Sequence, residues 1–80
     1  MKAMFVGLGS IGQRHLRNLK HLRQGQPLEI FAYRQNPHQL VIEDGKAHEV
    51  ESLASHYGFT ELKGIEEALS EEPDIAFICN

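Results

Sequence analysis

The sequence holds a single cysteine, Cys79, no tryptophan and only three prolines, and no apolar run approaches the roughly 18 residues of a membrane span. One cysteine excludes an intrachain disulfide and fits a reducing compartment. Met1-Lys2 followed at once by a short apolar run is far too brief for a signal peptide, so the default expectation is a cytoplasmic protein with no membrane partner. Basic residues are also scarce. Eight Lys and Arg against eleven Asp and Glu leave a formal charge of −3 with no basic cluster. Neutralising nucleic-acid phosphates needs a basic face, so nucleic acid is not an expected partner. The five histidines show no His-x-x-x-His or cysteine-paired spacing, and no zinc site is expected. Internal repeats and low-complexity tracts are absent. With 41% hydrophobic and 24% charged residues, 80 residues make at most one small soluble domain.

What is present is concentrated in the first seventeen residues. An apolar run, Ala3-Met4-Phe5-Val6, leads straight into Gly7-Leu8-Gly9-Ser10-Ile11-Gly12 and then Gln13-Arg14-His15-Leu16-Arg17. G-x-G-x-x-G between a buried strand and a helix is the setting that a dinucleotide-binding turn requires. Gly7 permits the sharp turn, Gly9 lets the backbone approach a pyrophosphate, and Gly12 lets the helix lie close on the strand. The helix N-terminus then offers free N–H groups to a phosphate, with Ser10 as the expected N-cap. A glycine-rich turn that binds nothing has the same composition.

The helix is expected from Ser10 to Gln24, stopped by Gly25 and Pro27. Its apolar arc contains Ile11, Gly12, His15, Leu16, Leu19 and Leu22, with His15 read as a core histidine or a group near the cofactor. Arg14 and Arg17 belong to the solvated face. Leu28 to Tyr33 reads as a second, parallel strand. In this kind of unit an acidic residue about 20 positions past the glycines bonds the adenosine ribose. Here that position is Tyr33, followed by Arg34, and no carboxylate stands there. An arginine is what would meet a 2′-phosphate, so NADP is expected ahead of NAD, unless Arg34 merely stacks on the adenine.

Beyond Asn36-Pro37, Gln39 to Ile42 reads as a short extra strand closed by Asp44-Gly45. A helix is expected from Lys46 to Tyr57, on the spacing of Ala47, Val50, Leu53, Ala54 and Tyr57, with Gly58 as its stop. Phe59-Thr60 is a short edge strand and Ile65 to Ser70 a short acidic helix ended before Pro73. The closing run Ile75-Ala76-Phe77-Ile78 does not alternate, which describes a strand buried on both faces of a parallel sheet. In the doubly wound order 3-2-1-4 it would be an edge without its next neighbour. The expected fold class is therefore α/β, the N-terminal half of a doubly wound parallel Rossmann sheet. Residues 1–80 would form a partial NAD(P)-binding domain, inactive by itself and prone to self-association through that edge.

Taken together, Gly7 to His15, Leu16-Arg17-Asn18-Leu19, Tyr57-Gly58, the acidic helix and Asp74-Ile75-Ala76-Phe77-Ile78-Cys79-Asn80 resemble the N-terminus of the glucose-fructose oxidoreductase and inositol dehydrogenase family (Gfo/Idh/MocA). The resemblance covers essentially the whole chain. It implies a Rossmann domain joined to a substrate domain, in a homo-oligomeric oxidoreductase that uses NAD or NADP on hydroxyl and keto groups of sugars or cyclitols. It further implies that Gly7, Gly9, Ser10, Ile11 and Gly12 hold the pyrophosphate, Tyr33 and Arg34 face the adenosine, and Cys79 and Asn80 border the nicotinamide. The family's catalytic lysine lies in a downstream motif with no counterpart here, so no catalytic residue is assigned. Many members also carry an acidic residue where this chain has Tyr33. The alternative reading is a nucleotide-binding sensor or regulatory module that transfers no hydride, which would share the fold.

Overall fold

A computed structural model describes residues 1–79; the expected role of Asn80 lies outside the described residues. The elements in chain order are β1 (Lys2–Val6), α1 (Ser10–Leu22), β2 (Glu29–Tyr33), β3 (Leu40–Glu43), β4 (Lys46–Glu49), α2 (Leu53–Tyr57), β5 (Thr60–Leu62), α3 (Ile65–Ser70) and β6 (Ile75–Ile78). Four strands form a parallel sheet in the order β5-β2-β1-β6. The chain is thus an α/β structure, and none of its described helices is long and apolar enough to cross a membrane.

Strand alternation explains the layering. Ala3 and Phe5 of β1 and Ile30 and Ala32 of β2 pack on one face against Leu16 and Leu19 of α1, Val41, Leu53 and Tyr57. Met4 and Phe31 point to the opposite face, against Leu62 of β5 and Ala68 of α3. A strand with apolar residues at successive positions serves both faces at once, as a sheet covered on both sides requires. The chain builds β2 and β5 outward on one side of β1, then crosses to place β6 on the other side.

Three expectations are corrected. Residues 46–49 are not helical: they pair antiparallel with β3 as a hairpin, and only Leu53–Tyr57 forms a helix. Asp44 (φ 53°) and Gly45 (φ 73°) both take positive φ, as the type I′ turn that suits strand twist demands. That turn folds Lys46 back on Glu43 before a helix can start. Ser52 then caps α2, its hydroxyl accepting from the Ser55 N–H at 3.1 Å, and Gly58 ends it at φ 77°. Second, α1 ends at Leu22 rather than Gln24. Its buried residues are Gly12, Gln13, Leu16 and Leu19, while Ile11, His15 and Leu22 are exposed, because the hairpin covers one flank of the helix and leaves the other bare. His15 is therefore no core residue; its ring lies 5.7 Å from that of Phe77. Third, β6 is not buried on both faces. It pairs with β1 alone among the described strands, leaving Ile75 and Ile78 exposed, while Phe77 stacks on Phe5 with ring centroids 4.6 Å apart.

Candidate functional site

The end of β1 turns sharply at Gly7, whose φ of 93° is a left-handed value that a side chain would strain. The Gly7 N–H donates to the Tyr33 carbonyl at 3.0 Å, tying the turn to the end of β2. Gly9 is the N-cap of α1; no side chain caps this helix, which corrects the expected role of Ser10. The first intrahelical bond runs from the Gln13 N–H to the Gly9 carbonyl at 3.0 Å. The N–H groups of Ser10, Ile11 and Gly12 thus precede the helical ladder, as the first N–H groups of any helix do. A Cβ at Gly9 would meet nothing within 4 Å. At Gly12 it would lie 2.6 Å from the Gly7 carbonyl oxygen and 3.3 Å from Cys79 Cβ. One glycine keeps a space open, and the other removes an obstruction between helix and turn.

Beside this turn lies a crevice of about 360 Å³. Gly7, Leu8 and Gly9 line it from the end of β1, Arg34, Gln35, Asn36 and His38 from the end of β2, and Cys79 from the end of β6. All three strands contribute their C-terminal ends, at the place where the chain switches from one side of β1 to the other. Ligands of open parallel sheets bind in such a crevice, and its size is within the roughly 300–1,000 Å³ of small-molecule sites.

Of the residues expected at a site, Gly7, Gly9, Arg34 and Cys79 meet here. Gly12 supports the turn from below. Tyr33 is half-buried in the sheet and contributes its carbonyl to the turn, but it is not one of the residues lining the crevice. Ser10 and Ile11 instead border a smaller hollow of about 190 Å³ between α1 and the Asp44-Gly45 turn. Gln35, Asn36 and His38 escaped the sequence reading. The available signal was Asn36-Pro37, a turn that brings the chain back over the end of β2.

Arg34 is buried at 6% exposure. Its Nε–H donates to Glu61 Oε2 at 2.9 Å, one Nη group donates to Glu61 Oε1, and the other donates to the His38 carbonyl at 2.6 Å. The expected free fork for a 2′-phosphate is thus engaged by the protein itself. Glu61, on β5, lies 27 residues away in sequence and has no local signal.

Burial of Cys79 raises its thiol pKa by desolvation, which favours the neutral thiol. A cysteine so placed is a poor nucleophile at neutral pH. Iodoacetamide is expected to alkylate the folded chain at pH 8 several-fold more slowly than the same chain in urea. The gap should close as pH rises through the folded thiol's pKa. Because the folded value is the higher one, the associated stability is complete below the ordinary thiol pKa and is lost as pH rises through the raised one. Equal alkylation rates with and without urea would contradict the placement of Cys79.

Compared with models of known families, with curated proteins and with solved structures, the chain finds no match.

Proposed function

We propose that this chain is the nucleotide-binding part of an NAD(P)-dependent oxidoreductase acting on hydroxyl or keto groups of sugars or cyclitols, and that its sheet is the N-terminal half of a doubly wound Rossmann domain. The observation that carries the reading is the crevice at the switch point between β1 and β6, floored by a glycine turn that leads directly into the N-terminus of α1. The residues present fit a dinucleotide: the space over Gly9 admits a pyrophosphate against the backbone, and the leading N–H groups of α1 favour its charge. The adenosine would lie toward Arg34, Gln35, Asn36 and His38, past β2, and the nicotinamide toward Cys79, past β6. When bound, the nicotinamide supplies the hydride chemistry. The reading takes either NADP or NAD as the dinucleotide, with the residues past β2 choosing between them. The chain's own part is to bind and orient the nucleotide; a substrate must be held beside the nicotinamide by other residues, since hydride transfer needs both reactants at near-attack distance.

Titration of the purified chain with NADH and NADPH, followed by reduced-nicotinamide fluorescence, tests the reading. Gly9→Ala is the decisive variant. Its Cβ meets no protein atom, so the fold should lose about 1 kcal/mol or less, the difference between a glycine and an alanine cap. The same Cβ would stand between backbone and pyrophosphate, and nucleotide affinity should fall about tenfold or more, the equivalent of at least 1.4 kcal/mol. A wild-type chain that binds neither nucleotide, or a Gly9→Ala chain that binds as well as wild type, would remove the proposal.

A further inference from the structure

The end of β2 carries no carboxylate in sequence, yet the structure delivers one there from a neighbouring strand. Glu61 sits on β5 in register with Ala32 of β2, and both its carboxylate oxygens accept from the Arg34 guanidinium. The Arg34 side chain is 3% exposed and that of Glu61 36%, so the pair is screened from water on one side only. Phe59 lies under the guanidinium, 5.5 Å from its carbon to the ring centroid, and the His38 carbonyl takes a third N–H. The arginine is held from three directions by the protein.

Resting on the dinucleotide reading above, we infer that Glu61 is the positioning residue that sets cofactor choice: by occupying the Arg34 fork it leaves no free guanidinium or ammonium among the described residues of the crevice for a 2′-phosphate, and the chain selects NAD(H) over NADP(H). A 2′-phosphate is recognised by a charged fork with donors to spare. Here the bidentate carboxylate has neutralised the charge and taken two of the N–H groups. Drawing Arg34 onto a phosphate would break a part-buried pair and leave the Glu61 carboxylate unpaired close to a second anion, a like-charge arrangement that selects against that ligand. A ribose with a free 2′-hydroxyl imposes neither cost. The arginine that the sequence offers to NADP is thereby withdrawn by a glutamate that only the folded sheet brings to it.

The test is the ratio of NADH to NADPH affinity in the full chain, a readout that a purely structural ion pair would leave unmoved. Wild type should bind NADH more tightly than NADPH, and ADP should displace NADH better than 2′,5′-ADP does. Glu61→Gln keeps the size and the hydrogen-bonding capacity of the side chain but removes its charge. It should shift the ratio toward NADPH by about tenfold, the scale of one charge-assisted contact. The inference is overturned if wild type prefers NADPH, if 2′,5′-ADP is the better competitor, or if Glu61→Gln retains its fold by circular dichroism and its ratio does not move. The two wild-type measurements decide the matter even should the variant fail to fold. A wild-type chain that binds neither nucleotide would instead sink the dinucleotide reading itself, a result distinct from an inverted ratio.

Discussion

Replacing Gly12 with alanine should lower the stability of this chain by about 2 kcal/mol and, on the proposed function, abolish nucleotide binding with it. The added Cβ would stand 2.6 Å from the Gly7 carbonyl oxygen, and that atom belongs to a backbone fixed by the bond from the Gly7 N–H to the Tyr33 carbonyl. It cannot rotate aside as a flexible side chain would. On the other flank Cys79 Cβ, at 3.3 Å, limits movement toward β6. Overpacking of this kind costs about 3 kcal/mol when the neighbours are rigid. Alanine returns up to about 1 kcal/mol in helix propensity, so the clash wins. Against the roughly 4–12 kcal/mol expected for a chain of 80 residues, the loss is large. Relief requires α1 to lift from the turn, which would carry its N-terminal N–H groups out of position. Urea unfolding reads the first effect and nucleotide titration the second. A Gly12→Ala chain with the wild-type urea midpoint would show that helix and turn are not in the contact described.

The second large effect is expected at Gln13, which lies outside the apolar arc of α1 and is nonetheless fully buried. Its Nε2 donates to the Leu8 carbonyl at 3.0 Å and to the Leu40 carbonyl at 2.8 Å. Its Oε1 accepts from the Ile42 N–H and from the Tyr57 hydroxyl, both at 2.9 Å. All four hydrogen-bonding positions of the amide are used. The reason lies in the hairpin. The ladder bonds of β3 and β4 alternate outward from the two-residue turn, so Leu40 and Ile42 direct their backbone groups away from β4, toward α1. Gln13 meets them as a neighbouring strand would, and Arg17 adds a bond to the Ile42 carbonyl at 3.0 Å and to the Tyr57 hydroxyl at 2.8 Å. Two helix side chains thereby cover an otherwise open strand edge.

Gln13→Leu keeps a side chain of similar length but strands the Leu8 and Leu40 carbonyls and the Ile42 N–H, and leaves the Tyr57 hydroxyl only its bond from Arg17. Each buried group left unpaired costs about 1–3 kcal/mol. Because Leu40 and Ile42 are only partly buried and water can reach them, the sum should come to about 3 kcal/mol rather than the full total. Amide exchange across residues 40–49 should rise as the hairpin loosens from α1. Unchanged protection at Ile42 in Gln13→Leu would contradict the role given to this amide.

The chain's first forty residues were largely legible. β1, the turn, α1 and β2 each carry a local signal: an unbroken apolar run, glycines at fixed spacing, a helical arc, a second apolar run. β5 and α3 were found within two residues of their places by the same means. The hairpin was half-read. Asp44-Gly45 announced the turn, but Lys46–Glu49 is wholly exposed and has no apolar alternation, so its helical spacing with Leu53 and Tyr57 prevailed in the sequence and lost in the structure. Pairing to β3 made it a strand.

The sequence by itself determined that a strand would end in a glycine turn at a helix N-terminus, because backbone freedom and the lack of a Cβ are properties of single residues and travel with them. Only the tertiary structure decided which polar groups would meet. Gln13 is polar by type and buried by position, since its burial depends on a hairpin some 27 residues further along the chain. Arg34 is a permanent cation by type, but its charge is met by Glu61 on another strand. Whether a charge is free or satisfied depends on what lies within a few ångströms of it, and the sheet's order β5-β2-β1-β6 set that distance.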